Sequence, residues 1–131
     1  MPVASPGDAA TASRTATPER IEDFAAVTGD DNPLHLDDDY ASDGLFGEPI
    51  AHGMFAAGVI SSALADLPGD VVYVSQDLQF EAPVYPEQTV TATVEVHERL
   101  EGDRIAVETV AETEDGTVVT GEAVVLSLEH E

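Results

Sequence analysis

The stretch from His52 to Leu67 constrains the fold more than any other. Met54, Phe55, Ala56, Ala57, Val59, Ile60, Ala63, Leu64 and Ala65 leave a helix there nearly without a polar face. A helix that is apolar all round belongs inside a protein, so the chain after it must do the wrapping. Past Pro68-Gly69-Asp70 the apolar spacing changes from helical to alternating. Val72, Val74, Leu78 and Phe80 fall on one face of a strand. Val90, Ala92, Val94 and Val96 alternate with Thr89, Thr91, Thr93 and Glu95 in the next, and Ile105, Val107 and Thr109 alternate in a third. Glu101-Gly102-Asp103 and Glu114-Asp115-Gly116 carry tight-turn chemistry. Residues 117–128 make the last strand, with Gly121 as a bulge. The pattern predicts an α+β fold: one antiparallel sheet of four long strands curled around one buried helix. So small a sheet covers its edges poorly, and pairing with a second copy would remedy that, so a homodimer is expected.

Upstream, Thr17-Pro18-Glu19 is a helix start: a hydroxyl cap, proline at the first position, then an acid. Gly29 ends that helix. Pro33 holds Asn32 out of helical geometry, and a short helical turn follows around Asp37 to Ala41. Residues 1–16 are rich in Ala, Ser, Thr, Pro and Gly and read as a disordered tail, which leaves a single domain over residues 17–131. They lack the apolar stretch of an export signal. The longest apolar run, Met54 to Ile60, is too short to span a bilayer. A cytoplasmic protein without a membrane partner is expected.

Charge narrows the partners. Among 131 residues, 27 are Asp or Glu and four are basic, for a formal net charge of -23. The four are Arg14, Arg20, Arg99 and Arg104, and there is no lysine. Such a surface cannot displace counterions from nucleic acid or dock on anionic lipid. It strains a compact fold by self-repulsion unless salt screens it, which points to a salt-rich, halophilic cytoplasm. The absence of cysteine excludes disulfides, thiolate metal sites and a cysteine nucleophile.

Two segments can do chemistry. In Thr28-Gly-Asp-Asp-Asn-Pro-Leu-His35 the Asn32-Pro33 break bends the chain, which can bring Asp30 and His35 to one pocket. A carboxylate and an imidazole sharing a water form an acid/base device. The same residues also suit a structural role, Asp30 capping the turn and His35 satisfied within the loop. In Phe46-Gly-Glu-Pro-Ile-Ala-His-Gly53, Gly53 opens the buried helix, and free N–H groups there favour developing negative charge; a close-packing glycine would look alike. His52 reads as a hydrogen-bonded structural histidine, His97 as solvated beside Glu95, and His130 as fringe. Asp37, Asp38 and Asp39 diverge on a short helix, so no metal is expected.

Phe24…Thr-Gly-Asp-Asp-Asn-Pro-Leu-His-Leu-Asp followed by Phe-Gly-Glu-Pro-Ile-Ala-His-Gly-Met resembles the hydratase-2 motif of the MaoC-like dehydratases. It is most similar to the (R)-specific enoyl-CoA hydratases with a single hot-dog domain. The likeness extends through Ser75-Gln-Asp-Leu-Gln-Phe-Glu-Ala-Pro-Val84 and Gly121-Glu-Ala-Val-Val125, about Pro18 to Leu128. The resemblance implies a hot-dog fold, a homodimer, and reversible, cofactor-free hydration of trans-2-enoyl-CoA to (R)-3-hydroxyacyl-CoA. It places the catalytic pair on Asp30 and His35 and the thioester carbonyl against the Gly53 N–H. It puts a substrate-pocket serine on Ser61 and a loop-shaping or pair-contacting asparagine on Asn32. Asp31 is expected to face solvent. Arg99 and Arg104, flanking one hairpin, are candidates to hold the phosphates of CoA. A hot-dog thioesterase and a non-catalytic acyl-CoA-binding protein are the alternatives; His35 argues against the first, and retention of both Asp30 and His35 against the second.

Overall fold

The long helix α4 (Gly53–Ala65) lies across a curled antiparallel sheet. The computed structural model describes residues 1–130. In chain order the elements are β1 (Ala9–Thr15), α1 (Pro18–Thr28), α2 (Pro33–Leu36), α3 (Asp38–Ser42), α4, β2 (Asp70–Gln76), β3 (Gln79–Phe80), β4 (Thr89–Arg99), β5 (Arg104–Thr113) and β6 (Gly116–Leu128). The sheet order is β1-β4-β5-β6-β2, with the short β3 paired to β6. This is the hot-dog arrangement. Ala56, Val59, Ile60, Ala63 and Leu64 of α4 pack on Val90, Ala92, Val94 and Val96 of β4, Ile105 and Val107 of β5, and Ala123 and Val125 of β6. Alternation in β4 follows the expected register, with those four residues buried and their neighbours outward. Truncating a fully buried side chain such as Ile60 would cost about 2–5 kcal/mol.

Several expectations need correction. Residues 1–16 are not a loose tail. β1 runs beside β4 from Ala9 opposite Glu95 to Thr15 opposite Thr89. Ala4 and Ala16 are fully buried, and Ala10 and Ala12 face the core. The Val3 N–H donates to Ser127 O and the Ala4 N–H to Ser127 Oγ, so the first residues ride on the end of β6. Low hydrophobicity concealed a strand whose small side chains let α4 approach closely.

The sheet therefore has six strands rather than four, and the segment after α4 is two of them. A bulge between Tyr73 and Ser75 in the β2–β6 pairing breaks the even alternation, and Val72 and Val74 are nearly half exposed rather than in the core. Gly121 is not a bulge: it pairs in register with Thr109. Its role is close approach, because a side chain there would overlap the Asp77 carbonyl, where the chain steps from β2 to β3.

α4 itself is not enclosed on every side. Gly53, Met54, Gly58, Ser61, Ser62 and Ala65 form an exposed strip. Met54, Gly58 and Ser61 of that strip line a cleft and do not face solvent alone.

Candidate active site

Local chain chemistry builds the site before any packing acts. The Thr17 hydroxyl accepts from the Arg20 N–H to start α1, and Gly29 ends it in the left-handed region at φ 79. The chain then turns. Asn32 Oδ1 accepts the Leu34 N–H at 3.0 Å and caps α2, which carries His35. Asp37 caps α3 in the same way. These short, well-capped pieces fold the Asp30–His35 segment back against the start of α4.

His35 is held at both its face and its edge. Its Nδ1 lies 2.7 Å from Ile50 O. A carbonyl only accepts, so Nδ1 carries the proton and a neutral His35 keeps its lone pair on Nε2. The ring stacks on His52 with centroids 3.9 Å apart and planes 28° apart. His52 is buried and also contacts Phe24, whose centroid is 4.7 Å away. His52 Nε2 donates to the backbone oxygen of Asp30 at 2.8 Å. Its Nδ1 is buried without a partner among the described residues. As expected, His52 is hydrogen-bonded; its stack on His35 was not read from the sequence. Asp30, His35 and His52 each bring one carboxylate or ring-nitrogen atom within 4.8 Å of the others. Asp30 is exposed, open to a ligand.

Gly53 is the first residue of α4, and its N–H has no protein acceptor among the described residues. A Cβ on Gly53 would sit 3.0 Å from Phe80 Cε1, so glycine lets the β3 aromatic close over the helix start. One cleft of about 350 Å³ opens here, walled by Phe46, His52, Gly53, Ala56, Phe80 and Val84. A second, larger one of about 670 Å³ runs along the exposed strip of α4, lined by Phe24, Thr28, Met54, Ser61, Tyr73 and Leu78. Both are walled mainly by apolar side chains. Neighbouring Gly53 and Met54 at the N-terminus of α4 each line one.

The remaining predicted residues divide. Asn32 acts on the loop through its cap. Ser61 lies eight residues along α4 from Gly53, about 12 Å at ~1.5 Å per residue, so it lines the second cleft and is not beside the pair. Tyr73 lines the same cleft; its hydroxyl donates to Gln76 Oε1 at 3.1 Å and is pushed up from its usual value by burial, with Ser61 opposing. Tyr73 was missed in the sequence, where it read only as part of a strand. Asp31 is exposed, as expected. His97, read as solvated, is exposed but bonds Glu122 Oε2 at 3.1 Å.

Arg99 and Arg104 lie away from this centre. Phe80 beside Gly53 pairs with Val119, which pairs with Ala111, whereas Arg104 pairs with Leu126. Seven residues along β5 separate these points, about 23 Å at ~3.3 Å per residue. Arg99 donates to Ser5 Oγ at 2.6 Å. Measured along the sheet, Arg104 is thus remote from Gly53 itself. Among the described residues no helix is long and apolar enough to cross a membrane.

The chain matches the MaoC-like domain over residues 4–121. It is 46% identical over 92 residues to an (R)-specific enoyl-CoA hydratase of Rhodospirillum rubrum, which is 69% of this chain and 64% of that protein, just under two thirds of its length. It is 45% identical over 106 residues to an (R)-specific enoyl-CoA hydratase of Aeromonas caviae, covering 78% of this chain and 79% of the relative. Its structure superposes on an unliganded R-hydratase of Pseudomonas aeruginosa with a TM-score of 0.88 and 34% identity, over 98% of this chain and 88% of that one. That likeness runs through the N-terminal strand as well as the helix and sheet. By sequence and by fold, the chain belongs to the MaoC-like dehydratase family.

Proposed function

We propose that this protein is an (R)-specific enoyl-CoA hydratase, a hydro-lyase that adds water across the double bond of a trans-2-enoyl-CoA and reverses the reaction. The observation that carries the proposal is the convergence of Asp30, His35 and His52, whose carboxylate and ring-nitrogen atoms lie within 4.8 Å of one another, next in the chain to Gly53, which lines an apolar cleft with its N–H unpaired among the described residues. Identity of 45–46% to two enzymes of that name supports it.

The mechanism follows from what each group can do. The Gly53 N–H, at the positive end of α4, donates to the thioester oxygen and stabilises the enolate-like charge that develops there. Water bound by Asp30 and His35 attacks the β-carbon, and the Asp30 carboxylate takes its proton. His35 delivers a proton to the α-carbon from Nε2, which requires the imidazolium, since Nδ1–H is committed to Ile50 O. The cycle then leaves Asp30 protonated and His35 neutral. Proton transfer between them, directly or through water, restores the starting state. No external cofactor enters this balance, because the thioester provides the activation.

The proposal extends to assembly and setting. β2 is an edge strand, and Val72, Tyr73 and Val74 on it, with Met54 and Phe80, are exposed apolar groups beside the open clefts. A homodimer that covers this edge would close the substrate channel. The charge of -23 without lysine suits a halophilic cytoplasm.

Crotonyl-CoA in molar potassium chloride tests the reading. Loss of the enoyl-thioester absorbance, without free thiol and with a product oxidised by an (R)-specific dehydrogenase, is the expected result. Thiol release would instead identify a thioesterase. Binding without turnover would identify an acyl-CoA-binding protein.

A further inference from the structure

The geometry points to His52 as a positioning residue that registers the Asp30–His35 pair against the Gly53 N–H; the inference rests on the hydratase reading above. The Asp30–His35 loop does not lock itself. No side-chain bond joins Asp30 to His35 among the hydrogen bonds of the described residues, and Asp30 is exposed. What orients both lies in the three residues Ile50 to His52. Ile50 O takes the Nδ1–H of His35, and His52 takes that ring's face. His52 also meets the tilted ring of Phe24 of α1, with centroids 4.7 Å apart. Its Nε2–H holds the Asp30 backbone oxygen. The next residue in the chain is Gly53. One side chain thus touches the carrier of each reacting group and is covalently joined to the third.

The caps and burial show why a histidine suits this place. His52 occupies the N-cap position of α4 but makes no side-chain capping bond. Its polar capacity goes across the site instead. Its Nδ1 is buried and unpartnered, so a proton there would be a buried donor without an acceptor. The tautomer with the proton on Nε2 is therefore the one that fits, and it is the one that reaches Asp30.

Substitutions that separate ring, donor and reach test this. A glutamine amide nitrogen occupies the place of Nε2, whereas asparagine stops at the place of Nδ1. In molar potassium chloride with crotonyl-CoA, His52→Gln should keep kcat within about tenfold of the unaltered protein. His52→Asn and His52→Leu should lose about 100-fold in kcat with little change in KM, the scale of an ~1 Å misplacement. A purely structural residue would give losses that track thermal stability and are not rescued by glutamine. A folded Asn or Leu variant with kcat within tenfold overturns the inference, and so does a folded Gln variant as impaired as Leu. A second measurement needs neither variant nor turnover. Nitrogen-15 correlation spectra of the unaltered protein should show His52 protonated on Nε2 and His35 on Nδ1; the reverse tautomer on His52 overturns the inference. If the unaltered protein shows no hydration at all, the hydratase reading fails while the tautomers still report on the contact.

Discussion

The imidazoles of His35 and His52 stack face to face, 3.9 Å between centroids, and each donates a ring N–H to a backbone oxygen, Ile50 and Asp30 respectively. This crossed arrangement ties two loops far apart in sequence and leaves His35 Nε2 as the only ring nitrogen of the two available to a ligand, since His52 Nδ1 is buried. Exchanging His35 for glutamine or asparagine preserves polarity but not a proton that can come and go, so both variants should be inactive while retaining the circular dichroism of the fold.

Gly53 and Phe80 are in contact by virtue of a missing side chain. Gly53→Ala places a Cβ 3.0 Å from Phe80 Cε1. The ring must yield, and the helix start shifts with it. We expect kcat for crotonyl-CoA to fall about tenfold, less than the ~100- to 1000-fold cost of losing an oxyanion donor outright. Adding Phe80→Leu should recover most of the loss, since the N–H itself is still present. Steady-state kinetics of the single and double variants check this; no recovery in the double variant would mean that the clash is not the cause.

Gly121 tests the fold separately from the site. An alanine there runs into the Asp77 carbonyl, a backbone group that cannot swing away. Gly121→Ala should destabilise by about 1–3 kcal/mol or more, the range of overpacking. Chemical denaturation in molar salt measures it. Gly58→Ala, where a Cβ meets open space, is the matched control and should be near neutral or slightly stabilising.

Much of this was legible in the sequence, and the failures have physical causes. The helix at His52 to Leu67 and the strands at Thr89, Arg104 and Gly116 announce themselves by period, because large apolar residues mark their inner faces. β1 does not: its inward residues are Ala10 and Ala12, which bury well but weigh little on any hydrophobicity scale. Val72 and Val74 mislead in the opposite sense, being apolar yet exposed on an edge strand. Asp30 and His35 could be paired because Pro33 forces a bend. The stacking of His52 on His35 could not, since nothing in a linear pattern reports a contact seventeen residues away. Tyr73 was hidden for the same reason.

Salt should govern stability. With -23 charges on 131 residues, repulsion acts over a Debye length of ~10 Å at 0.1 M salt and ~3 Å at 1 M. A gain of about 3 kcal/mol from screening would raise Tm by about 10 °C for a domain of this size. Thermal melts in potassium chloride and sodium chloride should rise together. Sucrose at matched osmolality should not reproduce the rise, which distinguishes charge screening from solvent exclusion.

His130 and Asp70 give a pH signature at the end of the sheet. The hydrogen bond to Asp70, then its charge, raises the His130 value above the usual histidine value. A raised value means the folded state binds the proton more tightly, so the pair stabilises below the ordinary histidine range and loses that contribution as pH rises through the raised value. The Tm difference between the unaltered protein and His130→Gln should be small at every pH, largest in mild acid, and vanish in mild alkali.

The most direct test of the account is kcat for crotonyl-CoA hydration in molar potassium chloride, measured for the unaltered protein, Asp30→Asn and His35→Asn. Loss of a general acid or base costs about 100- to 10,000-fold. The account predicts losses in that range for each variant, with folding intact and no comparable loss in Asp31→Asn. A folded Asp30→Asn or His35→Asn protein that turns over at near the unaltered rate would contradict it.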